Sequence, residues 1–236
     1  MTPMITPDVV RALNPRHPRP DVAATKLQQA FTRYGLTSRL VVAMALGQLT
    51  HESGLIPQEE NLNYRATRLV QVWPGRFPSV RAALPFQFNP QALGDMVYGG
   101  RMGNGPREGF TFRGRGLIQL TGRANYQTYG RLVGVDLVSQ PDQLLQYGVS
   151  ALVAGAFWQA HGLNGPAERG DVRVVTRAIN GGLNGLDDRE VLYQRALSRM
   201  PRYGLLATDL PLDVLADTAA DLDARDAQVQ RALALL

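Results

Sequence analysis

Two glutamates in THESGLIPQEENLNY (residues 50–64), Glu52 and Glu60, are placed so that they could do chemistry together. A carboxyl pair can cut a glycosidic bond: one member, kept protonated, gives its proton to the leaving oxygen, and the other activates or orients a water. Glu52 closes a strongly apolar run, so as a helix it would end there. Partial burial and the negative end of the helix dipole would both favour the protonated carboxyl. Glu60 lies beyond Pro57, which breaks the helix, and it is therefore free to face Glu52 from another element. Spacing by itself does not separate this reading from solvated surface, because the chain holds 20 acidic residues.

Other chemistries are testable on the same residues. His51-Glu52 resembles the start of a zinc-protease helix, but the second histidine would fall at Leu55. With three histidines and no cysteine, thiolate sites, disulfides and multi-histidine metal centres are not expected. Ser53 lacks the upstream glycine of a serine-hydrolase elbow. GRGLIQLTG puts Gln119 where a dinucleotide loop needs its third glycine. No cofactor and no metal is expected. In FRGRGLIQLTGRANY, Gln119, Thr121 and Asn125 alternate along the chain and offer hydroxyl and amide groups on one face of an extended segment. Such groups suit the acetamido and hydroxyl groups of a sugar, and equally suit a turn whose amides bond to backbone.

The elements that must carry these residues are mostly helical. Asp21 is expected to cap VAATKLQQAFTRY, with Gly35 stopping it. Ser38 opens SRLVVAMALGQLTHES, apolar nearly all round and so a buried central helix. Shorter helices are expected in RATRLVQVW and in PQALGDMVY, where Pro90 suits a first turn. Residues 99–116 are glycine-rich loop. Pro141 and Asp142 should start one long apolar helix through QAHGL, followed by helices in DVRVVTRAI and DDREVLYQRALSRM around an INGGLNG loop. Period-two alternation is confined to FTFRG and GLIQL, so the class is mainly α with at most a small β element. We expect one domain over residues 1–204 and a C-terminal helical extension over 205–236, packed on it.

The 236 residues carry a net charge of +5, which favours an anionic partner such as nucleic acid, a membrane surface or bacterial wall. The arginines are dispersed and form no nucleic-acid module, so nucleic acid is not expected. No segment is apolar enough for stable membrane insertion, and the start MTPMITPDVV lacks a secretory signal, so synthesis in the cytoplasm is expected.

Taken in order, GQLTHESG, EENLNYRA, VYGGRMGN, FRGRGLIQLTGRANY, AINGGLNG and DREVLYQRAL resemble the chitinase-like family 19 of glycoside hydrolases, particularly its phage endolysin branch, over residues 20–203. The resemblance implies a lysozyme-like helical fold with a deep saccharide cleft and inverting hydrolysis of β-1,4 bonds in N-acetylated polysaccharide. It implies Glu52 as general acid, Glu60 as general base with Glu59 the competing position, and Thr121 as a holder of the nucleophilic water. Gln119, Asn125 and Asn180 are implied to be substrate-binding amides, Tyr64 part of the cleft wall, and Arg189 a cleft arginine that meets the acidic pair. Unlike plant members, the chain has no cysteine, and Thr121 is followed by Gly122, Arg123 and Ala124 instead of aromatics. That departure favours peptidoglycan, with its bulky lactyl-peptide branch, over chitin as the partner polymer. The expectation is a monomeric muramidase that is made in a bacterial cytoplasm and acts on the wall after release. A non-catalytic saccharide-binding module is the alternative from another class, against which the presence of both glutamates argues.

Overall fold

In a computed structural model of the chain, residues 3–202 are described. They form eleven α-helices: α1 (Pro7–Leu13), α2 (Pro20–Arg33), α3 (Arg39–Ser53), α4 (Ala66–Val72), α5 (Val80–Ala83), α6 (Pro90–Tyr98), α7 (Arg123–Val133), α8 (Tyr147–Ala160), α9 (Asn164–Glu168), α10 (Val172–Asn180) and α11 (Leu186–Arg199). Two short strands, β1 (Gln58–Glu59) and β2 (Arg115–Gly116), pair antiparallel. The fold is mainly α, as the periodicity predicts. The expected extension at 205–236 lies outside the described residues.

The central helix is α3. Ser38 caps it, its side chain accepting from Val41 N–H, and every residue from Val41 to Thr50 is buried. It packs against α11 along a close approach at Gly47, where a Cβ would stand 2.7 Å from the Tyr193 backbone nitrogen. Only glycine allows that approach, and it brings the residues on the next turn of each helix within side-chain reach. Helix α3 ends at Ser53, where the run SRLVVAMALGQLTHES ends, before Pro57 is reached. Gly54 (φ 62°) and Leu55 (φ 61°) are both left-handed, and they turn the chain away directly after Glu52 and Ser53. Asn14 Nδ2 donates to Gly54 O (2.9 Å), and His17 Nε2 bonds Leu55 O (2.9 Å), so the segment after α1 clamps this turn.

Apolar side chains gather into two clusters. The larger is built by α1–α3 and α7–α11, with α2 packed on α8. The smaller is centred on Leu62, Ala66, Leu69, Phe77, Leu93 and Val97 and belongs to α4–α6 and the chain around them. Leaving α3, the chain passes through β1 into this smaller lobe.

Three local expectations are corrected. Helix α2 begins at Pro20 with Arg19 at the cap position, so Asp21 lies in the first turn, where its charge faces the positive helix end, and is not the cap. The apolar run after Pro141 is a 3-10 turn (Pro141–Leu145) and then α8, divided at Gln146, whose ψ of 137° is extended. FTFRG forms no strand, whereas GLIQL supplies Gly116, which with Arg115 pairs with Gln58–Glu59, and Leu120, which bridges back to Arg115. The sheet thus ties the segment bearing Glu60 to the segment bearing Gln119 and Thr121.

Candidate active site

Glu52 sits in the last turn of α3, with its side chain 20% exposed. Its partner is Arg189 in the first turn of α11, a guanidinium only 2% exposed, whose Nη2 donates to Glu52 Oε1 at 2.5 Å. The same guanidinium donates through Nη1 to Gln48 Oε1 (2.6 Å), one turn back on α3, and through Nε to Asn184 O (3.1 Å). Gln48 in turn donates to Thr176 Oγ1 on α10 (3.0 Å). Gln48 and Thr176 are fully buried, so this chain is a satisfied polar network within the core, with Glu52 at its exposed end. Asn180 Nδ2 reaches the same Asn184 carbonyl (3.3 Å). His51, beside Glu52, pairs through Nδ1 with Asp188, beside Arg189 (2.6 Å), a second tie between α3 and α11.

Glu60 is held elsewhere. It follows β1, and its backbone N–H bonds Gly114 O (2.8 Å). Its carboxylate accepts from the Tyr98 hydroxyl at Oε1 (2.7 Å), while Gly114 N–H lies 3.4 Å from Oε2. Gly114 is the centre of this group: a Cβ there would stand 3.0 Å from Gln119 Oε1, 3.4 Å from Thr121 Oγ1 and 3.5 Å from Glu60 Cβ. Three of the residues singled out in the sequence therefore surround one small backbone position. Burial, and then the adjacent Glu60 charge, push the Tyr98 phenol well above the usual tyrosine range, with Tyr64 close enough to add to the effect. Tyr64 itself packs edge-on against Trp73 (5.5 Å between centroids).

The adjacent Glu59 has a different environment. Its carboxylate pairs with the buried Arg113 and lies 3.7 Å from Arg115 Nε. Arg113 also donates to Phe110 O (2.8 Å) and stacks over the Phe110 ring, so Glu59 is bound into the frame of the strand pair. Between the competing positions, Glu59 is committed to two arginines and Glu60 is not.

The amides are less open than expected. Gln119, in a left-handed conformation (φ 54°), spends its Nε2 on Gln58 O and Gly116 O (2.9 Å each), leaving Oε1 toward Gly114. The exposed Asn125 donates to Thr121 O (2.8 Å), and Thr121 Oγ1 donates to Gln119 O (3.0 Å). The turn reading thus describes the NH2 groups, while the carbonyl of Gln119 and the lone pairs of Thr121 are left to accept. No hydrogen bond among the described residues joins the Glu52 group to the Glu60 group; the backbone from 53 to 59 connects them.

Tyr98, Gln48, Arg113 and Gly114 were not picked out by the sequence. Gln48 did carry a signal: it is an amide one turn before Glu52 inside an otherwise apolar helix. Among the described residues there is no cluster of three or more potential metal ligands, and no helix long and apolar enough to cross a membrane.

Three relationships to known proteins bear on this site. A "Glycosyl hydrolase family 19 domain-containing protein" of Haemophilus influenzae is 38% identical over 165 residues, covering 68% of this chain and 80% of that protein. The acidic 27 kDa endochitinase of Solanum lycopersicum is 41% identical over 70 residues, 29% of this chain and 26% of the plant protein. A crystal structure of a bacterial family 19 chitinase superposes with a TM-score of 0.52 at 18% identity, over 86% of this chain and 98% of the other, and so shares the fold. No family model matches the chain. The extent and identity of the Haemophilus match, with the shared fold, make this chain a member of glycosyl hydrolase family 19 and hence a glycoside hydrolase.

Proposed function

We propose that this glycoside hydrolase is a monomeric, endolysin-type muramidase that cuts the β-1,4 bond between N-acetylmuramic acid and N-acetylglucosamine in peptidoglycan, with inversion, once released from the bacterial cytoplasm in which it is made. The observation that carries the mechanism is that Glu59 is tied to two arginines, whereas Glu52 and Glu60 each have one carboxylate oxygen firmly held and the other less committed; the roles of acid for Glu52 and base for Glu60 follow the family resemblance. Glu52 gives its proton to the glycosidic oxygen, and Arg189 stabilises the carboxylate that this leaves. Glu60 takes a proton from a water that attacks the anomeric carbon from the opposite face. The hydroxyl of Thr121, its own proton given to Gln119 O, accepts a hydrogen bond from that water. Inversion requires the two carboxyls to stand about 6.5–9.5 Å apart with the water between them. Gln119, Asn125, Asn180 and Tyr64 contribute to holding the polymer.

Charge supports peptidoglycan. Residues 61–94, which build most of the smaller lobe, contain Arg65, Arg68, Arg76 and Arg81, all exposed, and no Asp or Glu. Chitin is uncharged, whereas the stem peptides of peptidoglycan carry carboxylates that such a surface attracts. Chitin is the second reading, favoured by the named chitinases among the similar proteins. Reducing-end release from purified sacculi and from chitin oligomers, compared side by side for wild type, Glu52→Gln and Glu60→Gln, separates these readings. Activity on sacculi lost in both variants supports the proposal, and activity on chitin alone replaces it with the second reading. Tight binding to sacculi with no product from either polymer would leave a binding module.

A further inference from the structure

We propose that Tyr98 is a positioning residue for Glu60: its hydroxyl occupies Oε1 and so assigns Oε2 to the reacting water. The inference rests on Glu60 being the base. Tyr98 Oη donates to Oε1 at 2.7 Å, a short charge-assisted bond, whereas the contact from Gly114 N–H to Oε2 is at the limit of bonding distance (3.4 Å). Oε2 is therefore the less committed oxygen. Oε2 is also the oxygen served by Gly114, the position around which Gln119 and Thr121 converge.

The tyrosine is itself fixed from several sides. It is the last residue of α6, and its carbonyl accepts from Asn104 Nδ2 (2.9 Å). Asn104 is buried, and its Oδ1 accepts from Arg123 N–H (2.7 Å) at the start of α7, two residues beyond Thr121. A side chain at Gly99 would overlap the carbonyls of Asp95 and Pro106, so the backbone after Tyr98 is locked as well. The glycine-rich segment 99–106 is thus a brace that links the donor on Glu60 to the helix following Thr121.

The protonation states agree. With its phenol pushed up by burial and by Glu60, Tyr98 stays a donor and cannot take the proton in place of Glu60. The charged and titratable groups nearby are Tyr64 and Arg76, which act on Tyr98 with opposite sign, and Glu59, occupied by Arg113 and Arg115. A donor to a carboxylate favours its ionised form, so losing it shifts the carboxyl towards the acid.

The test is the pH dependence of kcat/KM on whichever polymer the wild type hydrolyses, for wild type, Tyr98→Phe and a protein carrying 3-fluorotyrosine at position 98. Tyr98→Phe is expected to move the acidic limb upward by about one pH unit and to lower the plateau kcat about tenfold, with KM changed less than about twofold. Fluorotyrosine has the same shape and is the stronger donor, so it should move the limb downward. An acidic limb that stays in place in both proteins, whatever activity is lost, overturns the proposal. If Tyr98→Phe does not fold, the fluorotyrosine protein decides alone. Glu60→Gln is run in parallel: hydrolysis retained there means that Glu60 is not the base. An inactive Glu60→Gln with an unmoved limb in the Tyr98 proteins removes only the role given to Tyr98.

Discussion

Arg189 grips Glu52 and Gln48 at once, at 2.5 and 2.6 Å, so one buried guanidinium fixes two side chains a turn apart on the central helix. The close approach at Gly47 makes this grip possible, and the planar fork of arginine makes it specific. Arg189→Lys keeps the charge and loses the fork. It should lower kcat by at least about tenfold and stability by about 1–2 kcal/mol, seen as a fall in thermal midpoint. Gln48→Leu should reduce kcat similarly, although it removes no charge and touches no carboxylate.

The neighbouring glutamates should separate cleanly. Glu60→Gln is expected to lower kcat by about 10²–10⁴-fold with the thermal midpoint nearly unchanged. Glu59→Gln should do the reverse, because it strips the partner from buried Arg113. The cost is about 1–2 kcal/mol, below that of a fully buried pair because Glu59 is 46% exposed. Thermal melts and steady-state rates on the same preparations check both.

Gly114→Ala probes the centre of the Glu60 group. Its methyl would meet Gln119 Oε1 at 3.0 Å and Thr121 Oγ1 at 3.4 Å, displacing both by tenths of an ångström. Misplacement on this scale in a reacting geometry should reduce kcat by about 10–100-fold while the protein folds. A rate within twofold of wild type would move the water site away from Gly114.

The turn that carries Glu52 should respond to acid through His17. Burial lowers the pKa of this imidazole, opposed by its bond to Leu55 O and by the charge of Asp21. Its Nδ1 accepts from Arg19 N–H (3.2 Å), so the neutral ring, with its proton on Nε2 facing Leu55 O, fits the fold. A folded-state pKa below the unfolded one means that the unfolded chain takes up the proton first. The stabilising contribution is complete above the ordinary imidazole value of about 6.5 and is lost as the pH falls below it. Thermal midpoints measured from pH 7.5 to 5 should decline in wild type, and His17→Gln should flatten that component.

The four exposed arginines of residues 61–94, a stretch without Asp or Glu, predict different salt responses. Hydrolysis of peptidoglycan should weaken between about 50 and 200 mM salt, chiefly through KM, while hydrolysis of an uncharged chitin oligomer should change little. Replacing Arg65 and Arg68 with glutamine should reduce the salt response on peptidoglycan without altering kcat on the oligomer.

Much of the architecture was legible where local physics decides it. Ser38 and the unbroken apolar run define α3, Pro90 marks the start of α6, and the INGGLNG loop falls between α10 and α11. Helix α7 was missed although Tyr126, Tyr129, Gly130 and Val133 form a proper buried stripe, because polar residues dominate RANYQTYGRLV. The division at Gln146 has no glycine or proline to announce it. The sheet is small, as the short alternation implies, but its register was not legible: the partner of Arg115 lies far upstream at Glu59, in a two-residue strand with no alternation of its own. The site divides in the same way. Residue types pointed to Glu52, Glu60 and Thr121, but what distinguishes Glu60 from Glu59 is Tyr98, Arg113 and Gly114, which reach them across 38 and 54 positions. Contacts at that range leave no periodic trace in a single sequence.

The most direct measurement is product analysis from purified Gram-negative sacculi, with mass determination and with the anomeric configuration read by NMR in the first minutes of hydrolysis. Hydrated muropeptides ending in reducing N-acetylmuramic acid, released first as the α-anomer, are expected from wild type, and none from Glu52→Gln or Glu60→Gln. Anhydro-muramic ends, a β-anomer formed first, or undiminished release by Glu60→Gln would contradict an inverting muramidase built on this pair.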